Sequence, residues 1–218
     1  MAYRGNQVKT ADLIDVLAQD APVRWRLPGR LGMAFAVGAL IAVVVFASGI
    51  HLRPDLAAAS HTARVQFKFL FAVTLLSGAA GAVTRVGRPD ATPGPWTFVL
   101  AAAPILLGLA VIAELLGTPA PSWMTRLVGQ NAVYCLTLIP AMALGPLACL
   151  LVALRDSAPA HPGRAGAAAG LAASGIAVVL YASHCPDDSP LFVAVWYSSA
   201  ITIVVAAGYF AGERLLKW

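Results

Sequence analysis

Charged residues are scarce in this chain. Of its 218 residues only 11% are Asp, Glu, Lys or Arg, whereas 59% are hydrophobic and the mean hydropathy is +0.77. Soluble domains carry about 25% charged residues, so this composition indicates a multi-span membrane protein. A spanning helix needs roughly 20 mostly apolar residues, which leaves room for about six spans and for no large soluble domain.

Cysteines and catalytic motifs are also few. There are three cysteines, Cys135, Cys149 and Cys185, and no CxxC pair. An odd number without that pair excludes a disulfide framework and argues against a thioredoxin-like redox motif. GxxxxGK, HExxH, GxSxG and the Rossmann fingerprint are all missing. The sequence therefore predicts a protein that is not an enzyme and has no constitutive cofactor.

The long apolar runs predict an all-α protein, a bundle of six transmembrane helices. The predicted sensor domain, residues 31–211, follows an N-terminal segment, residues 1–30, and precedes a C-terminal tail, residues 212–218. The predicted spans cover residues 31–50, 66–84, 96–116, 131–154, 165–183 and 191–211. The first run has no clear cleavage site and is long enough to span, so we expect it to be retained as a helix.

The basic residues predict the orientation of the bundle. Of the 15 Lys and Arg residues, eleven lie in the two terminal segments and in the connectors after spans two and four. The positive-inside rule then places both termini in the cytoplasm, N-in and C-in, as a multi-pass protein of a bacterial inner membrane. The net charge of +5 reflects this bias and not a nucleic-acid partner.

The N-terminal segment contains a short amphipathic pattern. Thr10 can cap a helix from residue 11 to about residue 20, and Pro22 ends it. The apolar side of this helix carries Leu13, Ile14 and Leu17. A helix this short is marginal alone, so we expect its apolar side to dock on lipid or on a partner protein.

The most polar stretch between two long apolar runs is residues 182–190. It holds His184, Cys185, Asp187 and Asp188, which could polarise a thiol or join it around a soft metal ion. The alternative is an ordinary loop, in which Asp188 or the next residue caps a helix that begins with a proline. The local pattern by itself favours this second interpretation.

A second thiol lies at the same predicted depth. Cys135 is about one turn inside span four, near the end that the 182–190 loop occupies, so Cys135 and Cys185 are candidate neighbours. A disulfide would require Cα atoms within about 7 Å, and packing of a small apolar side chain is the other interpretation of Cys135. Cys149 is roughly 21 Å further along the helix and is interpreted as a packing residue.

Two other features allow more than one interpretation. Glu114 lies near the end of span three and is predicted to pair with Lys68. Lys68 would extend outward from the end of span two. The alternative is that Glu114 lies beside the thiols. Gly166, Gly170 and Gly175 form a small-residue face in span five, which suits packing within the bundle as well as dimerisation.

Several of these segments resemble the negative regulator of sigma F (NrsF) family. The resemblance rests on Asn131–Pro140 at the start of span four, Ala153–Arg155 at its end, Leu180–Phe192 around the polar loop, and Trp196-Tyr197. The N-terminal Asp12-Leu13-Ile14 and the basic stretch from Pro22 to Pro28 are also similar to the family's tail.

The resemblance implies a bacterial inner-membrane anti-sigma factor. Its cytoplasmic segment would hold an extracytoplasmic-function sigma factor away from RNA polymerase. The predicted sigma-factor contacts are Asp12, Leu13, Ile14, Asp15, Leu17, Arg24 and Arg26.

The family's two characteristic cysteines match Cys135 and Cys185, which would respond to heavy metals or oxidants as part of a stress response. These two cysteines would then be transient ligands of an inducing metal ion, with His184, Asp187 and Asp188 beside them. A transporter or permease for a metal ion or small solute is the main alternative, and the oligomeric state stays open.

Overall fold

The structure is a computed structural model that describes Thr10, Ile14 and residues 27–87, 94–155, 157 and 159–217. These described residues form helices and connecting loops, with no strand among them. The α-helices are α1 (Leu27–Val45), α2 (Leu56–Ala59), α3 (Ala63–Val86), α4 (Pro95–Gly117), α5 (Trp123–Val128), α6 (Ala132–Arg155), α7 (Pro162–Ala182), α8 (Pro190–Phe192) and α9 (Ser198–Leu215). Two π-helical turns, Phe46–Ile50 and Val193–Tyr197, continue α1 and join α8 to α9, and Ala120–Ser122 is a 3₁₀ turn.

Within the described residues, six helical segments are long and apolar enough to cross a membrane, which confirms that part of the prediction. They are Leu27–Ile50, Ala63–Val86, Pro95–Gly117, Ala120–Arg155, Pro162–Ala182 and Pro190–Leu215. Prolines lie in the first turns of several of these helices, because the N–H that proline lacks has no intrahelical partner there. The last helix continues to Leu215, four residues into the predicted C-terminal tail, and Glu213 near its end accepts a hydrogen bond from the Gly163 N–H at the start of α7.

Helix α7 forms the centre of the bundle. In its most apolar 18-residue stretch 72% of the residues are buried, against 11% in α4, which lies at the periphery. Its neighbours are α9, α3 and α6. The small side chains of α7 suit this position, because they let three other helices approach its backbone closely.

The glycine face of α7 packs within the chain. A Cβ atom at Gly166 would overlap the carbonyl oxygen of Gly208, and one at Gly170 would lie 2.7 Å from the carbonyl oxygen of Val204. Gly175 faces α3 instead, with the backbone of Leu76 2.8 Å from the Cβ position. Intramolecular packing therefore accounts for the small residues that the sequence left open to dimerisation.

The bundle has two ends, each with its own set of loops. The thiol end contains the loops of residues 51–62, 118–131 and 183–189, and the opposite end, here called the terminal end, contains Leu27, Val86, Arg155, Pro162 and Leu215. Six spans bring the first and last described helices to the same end. At the terminal end Gly87 lies against Leu27 and Leu154, so the C-terminal ends of α3 and α6 meet the start of α1.

Candidate functional site

Cys135 and Cys185 meet at the thiol end. Cys135 lies in the first turn of α6, where its N–H donates to the carbonyl of Asn131 over 2.9 Å. Cys185 follows α7, and its N–H donates to the carbonyl of Tyr181 over 3.0 Å. Both side chains are fully buried, the two thiols interact directly, and all three cysteines of the chain are free thiols.

The surroundings favour the thiolate of Cys185. The neighbouring Cys135 thiol, which can donate a hydrogen bond, holds the pKa of the Cys185 thiol below its usual range. The ammonium group of Lys68 and the backbone N–H of Asp187 act in the same direction, and together they outweigh burial, which disfavours a charge. Cys185 is therefore the more nucleophilic of the two sulfur atoms.

Two tyrosine rings enclose the thiol pair. Tyr181, at the end of α7, and Tyr197, at the end of the second π-helical turn, are fully buried, and their ring centroids are 5.7 Å apart. Phe192 packs edge-on against Tyr197. Both hydroxyl groups lie beside the thiols, yet no described residue forms a hydrogen bond of normal geometry with either of them.

A buried lysine ties the loop to α3. Lys68 is fully buried, and its Nζ donates to the Cys185 carbonyl oxygen over 2.7 Å and forms an ion pair with Asp188. On the other side of Asp188 the Nη1 atom of Arg53 donates to Oδ2 over 2.8 Å, and the N–H of Arg53 donates to the carbonyl of Ser183. The prediction that Lys68 extends outward is therefore wrong, because the loop supplies a carboxylate and a carbonyl inside the bundle.

Glu114 has other partners than the predicted one. Its carboxylate accepts from Nε and Nη2 of Arg64, both over 3.1 Å, and from Nη1 of Arg126 over 2.9 Å. The predicted pair with Lys68 is wrong. Arg64 lies one turn nearer the helix end and reaches Glu114, whereas Lys68 lies deeper and is held by the loop that contains Cys185.

The other polar residues of the loop do not converge on the thiols. The Asp187 carboxylate accepts hydrogen bonds from the N–H groups of Gln130 and Asn131 and from the Asn131 side chain, at 2.9–3.1 Å. It thus caps the start of α6 from a different segment, where a negative charge is favourable. This contact ties the Cys185 loop to the helix that carries Cys135.

His184 also has a structural partner. Its Nδ1 lies 2.9 Å from the carbonyl oxygen of His51, and since a carbonyl only accepts, Nδ1 carries the proton. His51 has φ 63° and ψ 163°, a conformation that non-glycine residues rarely adopt. The hydrogen bond from His184 holds this residue at the end of the π-helical turn Phe46–Ile50.

The predicted sensing residues therefore divide into two groups. Cys135 and Cys185 are brought together, while His184, Asp187 and Asp188 are engaged elsewhere. Within the described part of the chain no three His, Cys, Asp or Glu residues are placed to hold a metal ion. A metal ion at this site would have to rely on the two thiols.

Sequence reasoning missed the residues that complete the site. Four further residues contact the two thiols or the loop that contains Cys185: Arg53, Lys68, Tyr181 and Tyr197. Lys68 carried a usable signal, since a charge within a span needs a buried partner. Tyr181 and Tyr197 stand in the stretches that resemble the NrsF family, but nothing in their spacing shows that they face one pocket.

The predicted sigma-factor contacts lie almost entirely outside the described residues. This is so for Asp12, Leu13, Asp15, Leu17, Arg24 and Arg26. Ile14 is described, and it is helical and 58% exposed. Cys149 borders an apolar groove with Met33 and Val37 at the terminal side of the bundle, away from the other two cysteines.

Comparison with known proteins decides the family. A family model described as negative regulator of sigma F, NrsF, matches residues 17–218. The chain belongs to the NrsF family. This family is regulatory and not catalytic, which is consistent with the prediction that the protein is not an enzyme.

Two relatives match the NrsF chain over almost its whole length. The anti-sigma-F factor NrsF of Caulobacter vibrioides is 33% identical over 219 residues, covering 97% of this chain and 100% of the relative. The probable anti-sigma-F factor NrsF of Azospira oryzae is 31% identical over 217 residues, with the same coverage. No solved structure matches the chain.

Proposed function

We propose that this protein is an inner-membrane anti-sigma factor. Its N-terminal segment, residues 1–30, holds an extracytoplasmic-function sigma factor at the cytoplasmic face of the membrane. Reaction of Cys135 and Cys185 with a heavy metal or an oxidant on the outer side releases the sigma factor. Membership in the NrsF family and the names of both relatives support the anti-sigma role.

The observation that carries the sensing role is the buried pair of free thiols at the thiol end. One thiol belongs to α6 and the other to the loop between α7 and α8. A disulfide between the two sulfur atoms, or a metal ion bound by both, would therefore change how α6 packs against this loop. An inducer shifts the protein between two states only if it binds or bonds better in one of them. A covalent or metal bridge between two buried sulfur atoms meets that requirement.

The helices give this change a path to the other end of the bundle. Helix α3 holds Lys68 at the thiol end and reaches Gly87 at the terminal end, and α6 carries Cys135 and Leu154 at corresponding positions. Leu27 and Leu154 both lie against Gly87, and Leu27 belongs to the end of the N-terminal segment, residues 1–30. A shift of α3 or α6 would therefore change the packing around Leu27 and with it the position of the N-terminal segment that binds the sigma factor.

The binding role is tested by changing the N-terminal segment. We expect Leu13→Glu with Leu17→Glu to abolish repression of a sigma-dependent reporter without any inducer, because two charges replace the apolar side that docks on the partner. Co-purification of the sigma factor with the membrane protein should be lost in parallel. Gln19→Glu is the matched control, because the sequence pattern places Gln19 on the polar side of the predicted helix. Loss of repression there, or retained sigma binding in the double variant, would contradict the proposal.

The sensing role is tested at the cysteines. We expect Cys135→Ser and Cys185→Ser, singly and together, to keep the reporter repressed in the presence of cadmium, dichromate or peroxide. Cys149→Ser is the matched control and should respond like the unchanged protein, since Cys149 borders an apolar groove far from the pair. Full induction in the double Cys135/Cys185 variant would sink the sensing role.

A further inference from the structure

The hydroxyl groups of Tyr181 and Tyr197 are the unexplained feature of the thiol pocket. Both are completely buried, and neither forms a hydrogen bond of normal geometry with a described residue. A buried polar group without a partner destabilises the folded state, and a phenylalanine would fill the same space without this cost. A buried unpaired group in a native structure calls for an explanation, and a role in redox chemistry at the site is one of them.

The position of the two hydroxyls indicates what that partner is. Both face the sulfur atoms of Cys135 and Cys185, with the ring of Phe192 behind Tyr197. Tyr197 ends a π-helical turn, a local deviation that often occurs at functional sites. The pocket thus combines the nucleophilic sulfur of Cys185 and the neighbouring Cys135 thiol with two hydrogen-bond donors in apolar surroundings. An oxygen atom next to the Cys185 sulfur would satisfy both donors.

We propose that the hydroxyls of Tyr181 and Tyr197 form a two-donor site for the oxygen atoms of a hydroperoxide, which makes the thiol pair selective for oxidants that transfer oxygen. This inference rests on the proposed sensing role of the two cysteines and specifies its chemistry. Donors that are already in place where negative charge develops stabilise a transition state strongly, because they need no reorganisation. Neither hydroxyl would offer such help to a metal ion, which has no acceptor atom.

The reaction proceeds in two steps. The Cys185 sulfur attacks one peroxide oxygen, the S–O bond forms and the O–O bond breaks. The leaving oxygen takes the electron pair and the proton released by the thiol, so the peroxide is reduced to water or an alcohol and Cys185 becomes a sulfenic acid. The Cys135 sulfur then attacks the Cys185 sulfur, which forms the disulfide and breaks the S–O bond, and a water molecule leaves with the Cys135 proton.

Cys185 is the attacking sulfur because the cationic and N–H groups of the site lie on its side. The Lys68 ammonium group is bound to the carbonyl of Cys185 itself. A cleft of about 420 Å³ opens at the surface above the loop, and Pro186 and Asp187, the two residues after Cys185, line it. A small hydroperoxide that enters this cleft needs only a local opening of the loop to reach the sulfur.

The test compares two reagents on the purified full-length protein in detergent micelles. Hydrogen peroxide develops negative charge on oxygen when a thiolate attacks it, whereas iodoacetamide releases iodide and has no such oxygen at the reacting carbon. Loss of the Cys185 thiol is followed by peptide mass spectrometry for the unchanged protein, Tyr181→Phe and Tyr197→Phe. We expect each variant to lower the rate constant with peroxide by about tenfold or more, while the rate constant with iodoacetamide stays within about twofold.

The ratio of the two rate constants decides the question. A ratio that stays unchanged, whether both rates fall together or neither does, would overturn the proposal, because the hydroxyls would then affect only packing or the charge state of the thiol. Tyr209→Phe, the same substitution at the far end of α9, is the control and should change neither rate. Since Phe preserves the ring and removes a buried unpaired hydroxyl, both test variants should be at least as thermally stable as the unchanged protein.

Failure of this inference is distinguishable from failure of the proposed function. Should the ratio stay unchanged while the cysteine variants still block induction in cells, the thiols sense inducers without help from the tyrosines. Should the cysteine variants be fully inducible, the sensing role itself is wrong, whatever the rate constants show.

Discussion

Replacing Asp188 by asparagine is expected to destabilise the folded protein by about 3–5 kcal/mol, because it leaves a buried cation without its counter-ion. Lys68 is fully buried and its ammonium group is paired with the Asp188 carboxylate. The same substitution removes the charge that Arg53 binds from the other side. Thermal unfolding in detergent, followed with a bulky dye that fluoresces on reaction with thiols, measures the loss, since Cys135 and Cys185 are fully buried and a reagent of that size reaches them only when the bundle unfolds.

Asp55→Asn is the matched control for this substitution. Asp55 binds the same Arg53 guanidinium, but its side chain is 62% exposed to solvent. Exposed ion pairs contribute little to stability, because water and salt screen them, so we expect a much smaller change. Equal effects of Asp188→Asn and Asp55→Asn would show that Lys68 does not depend on Asp188.

A double substitution separates the pair from the burial of its members. Lys68→Met with Asp188→Leu removes both charges and replaces them by apolar side chains. We expect this variant to be more stable than Asp188→Asn alone, because no buried charge is left unpaired. The loss of unfolding free energy in the double variant should be smaller than the sum of the losses in Lys68→Met and Asp188→Leu alone. A loss larger than that sum would contradict a direct pair.

Gly208→Leu is expected to destabilise the bundle by about 3 kcal/mol, near the upper part of the range for inserting atoms into a packed core. A Cβ atom at Gly208 would meet the backbone of Gly166 and Gly170 on α7, and a backbone cannot turn aside as a flexible side chain does. Helix α9 would have to move away from the central helix. The same thiol-reactive dye assay measures the fall in unfolding temperature.

Gly108→Leu is the corresponding control on α4. Nothing lies within 4 Å of the Cβ position of Gly108, so leucine there meets only open space and has the higher helix propensity. We expect no loss of stability. If Gly208→Leu kept the unfolding temperature but changed the oligomeric state, the glycine face would be a contact between chains and not one within the bundle.

The sequence predicted the helical architecture more accurately than it predicted the side-chain contacts. Each apolar run was long enough to specify a spanning helix, and prolines and polar residues marked the helix ends to within about four residues. Ser189 accepts a hydrogen bond from the Leu191 N–H ahead of Pro190, so the helix start foreseen in the polar loop is present. This capping and the thiol contact occur together, although the sequence had presented them as alternatives.

The errors share one physical origin. The sequence predicts a pair between Glu114 and Lys68 because both lie at similar depths in the membrane. Depth, however, does not determine the direction in which a helix presents a side chain. Arg64 and Arg126 surround Glu114, and Lys68 turns into the bundle toward Cys185 and Asp188. Rotation of α3 and α4 about their axes decides this, and that rotation follows from how all six helices pack.

The sequence alone determined the membrane class of this protein, its six helices, its family resemblance and the common level of Cys135 and Cys185. Hydropathy and span length are sums along the chain, so they place each residue along a helix axis at about 1.5 Å per residue. Only the tertiary structure decided that the two thiols touch, that Lys68 supports the Cys185 loop, and that two unpaired tyrosine hydroxyls face the sulfur atoms. These contacts depend on the packing of helices far apart in the chain, which no local pattern encodes.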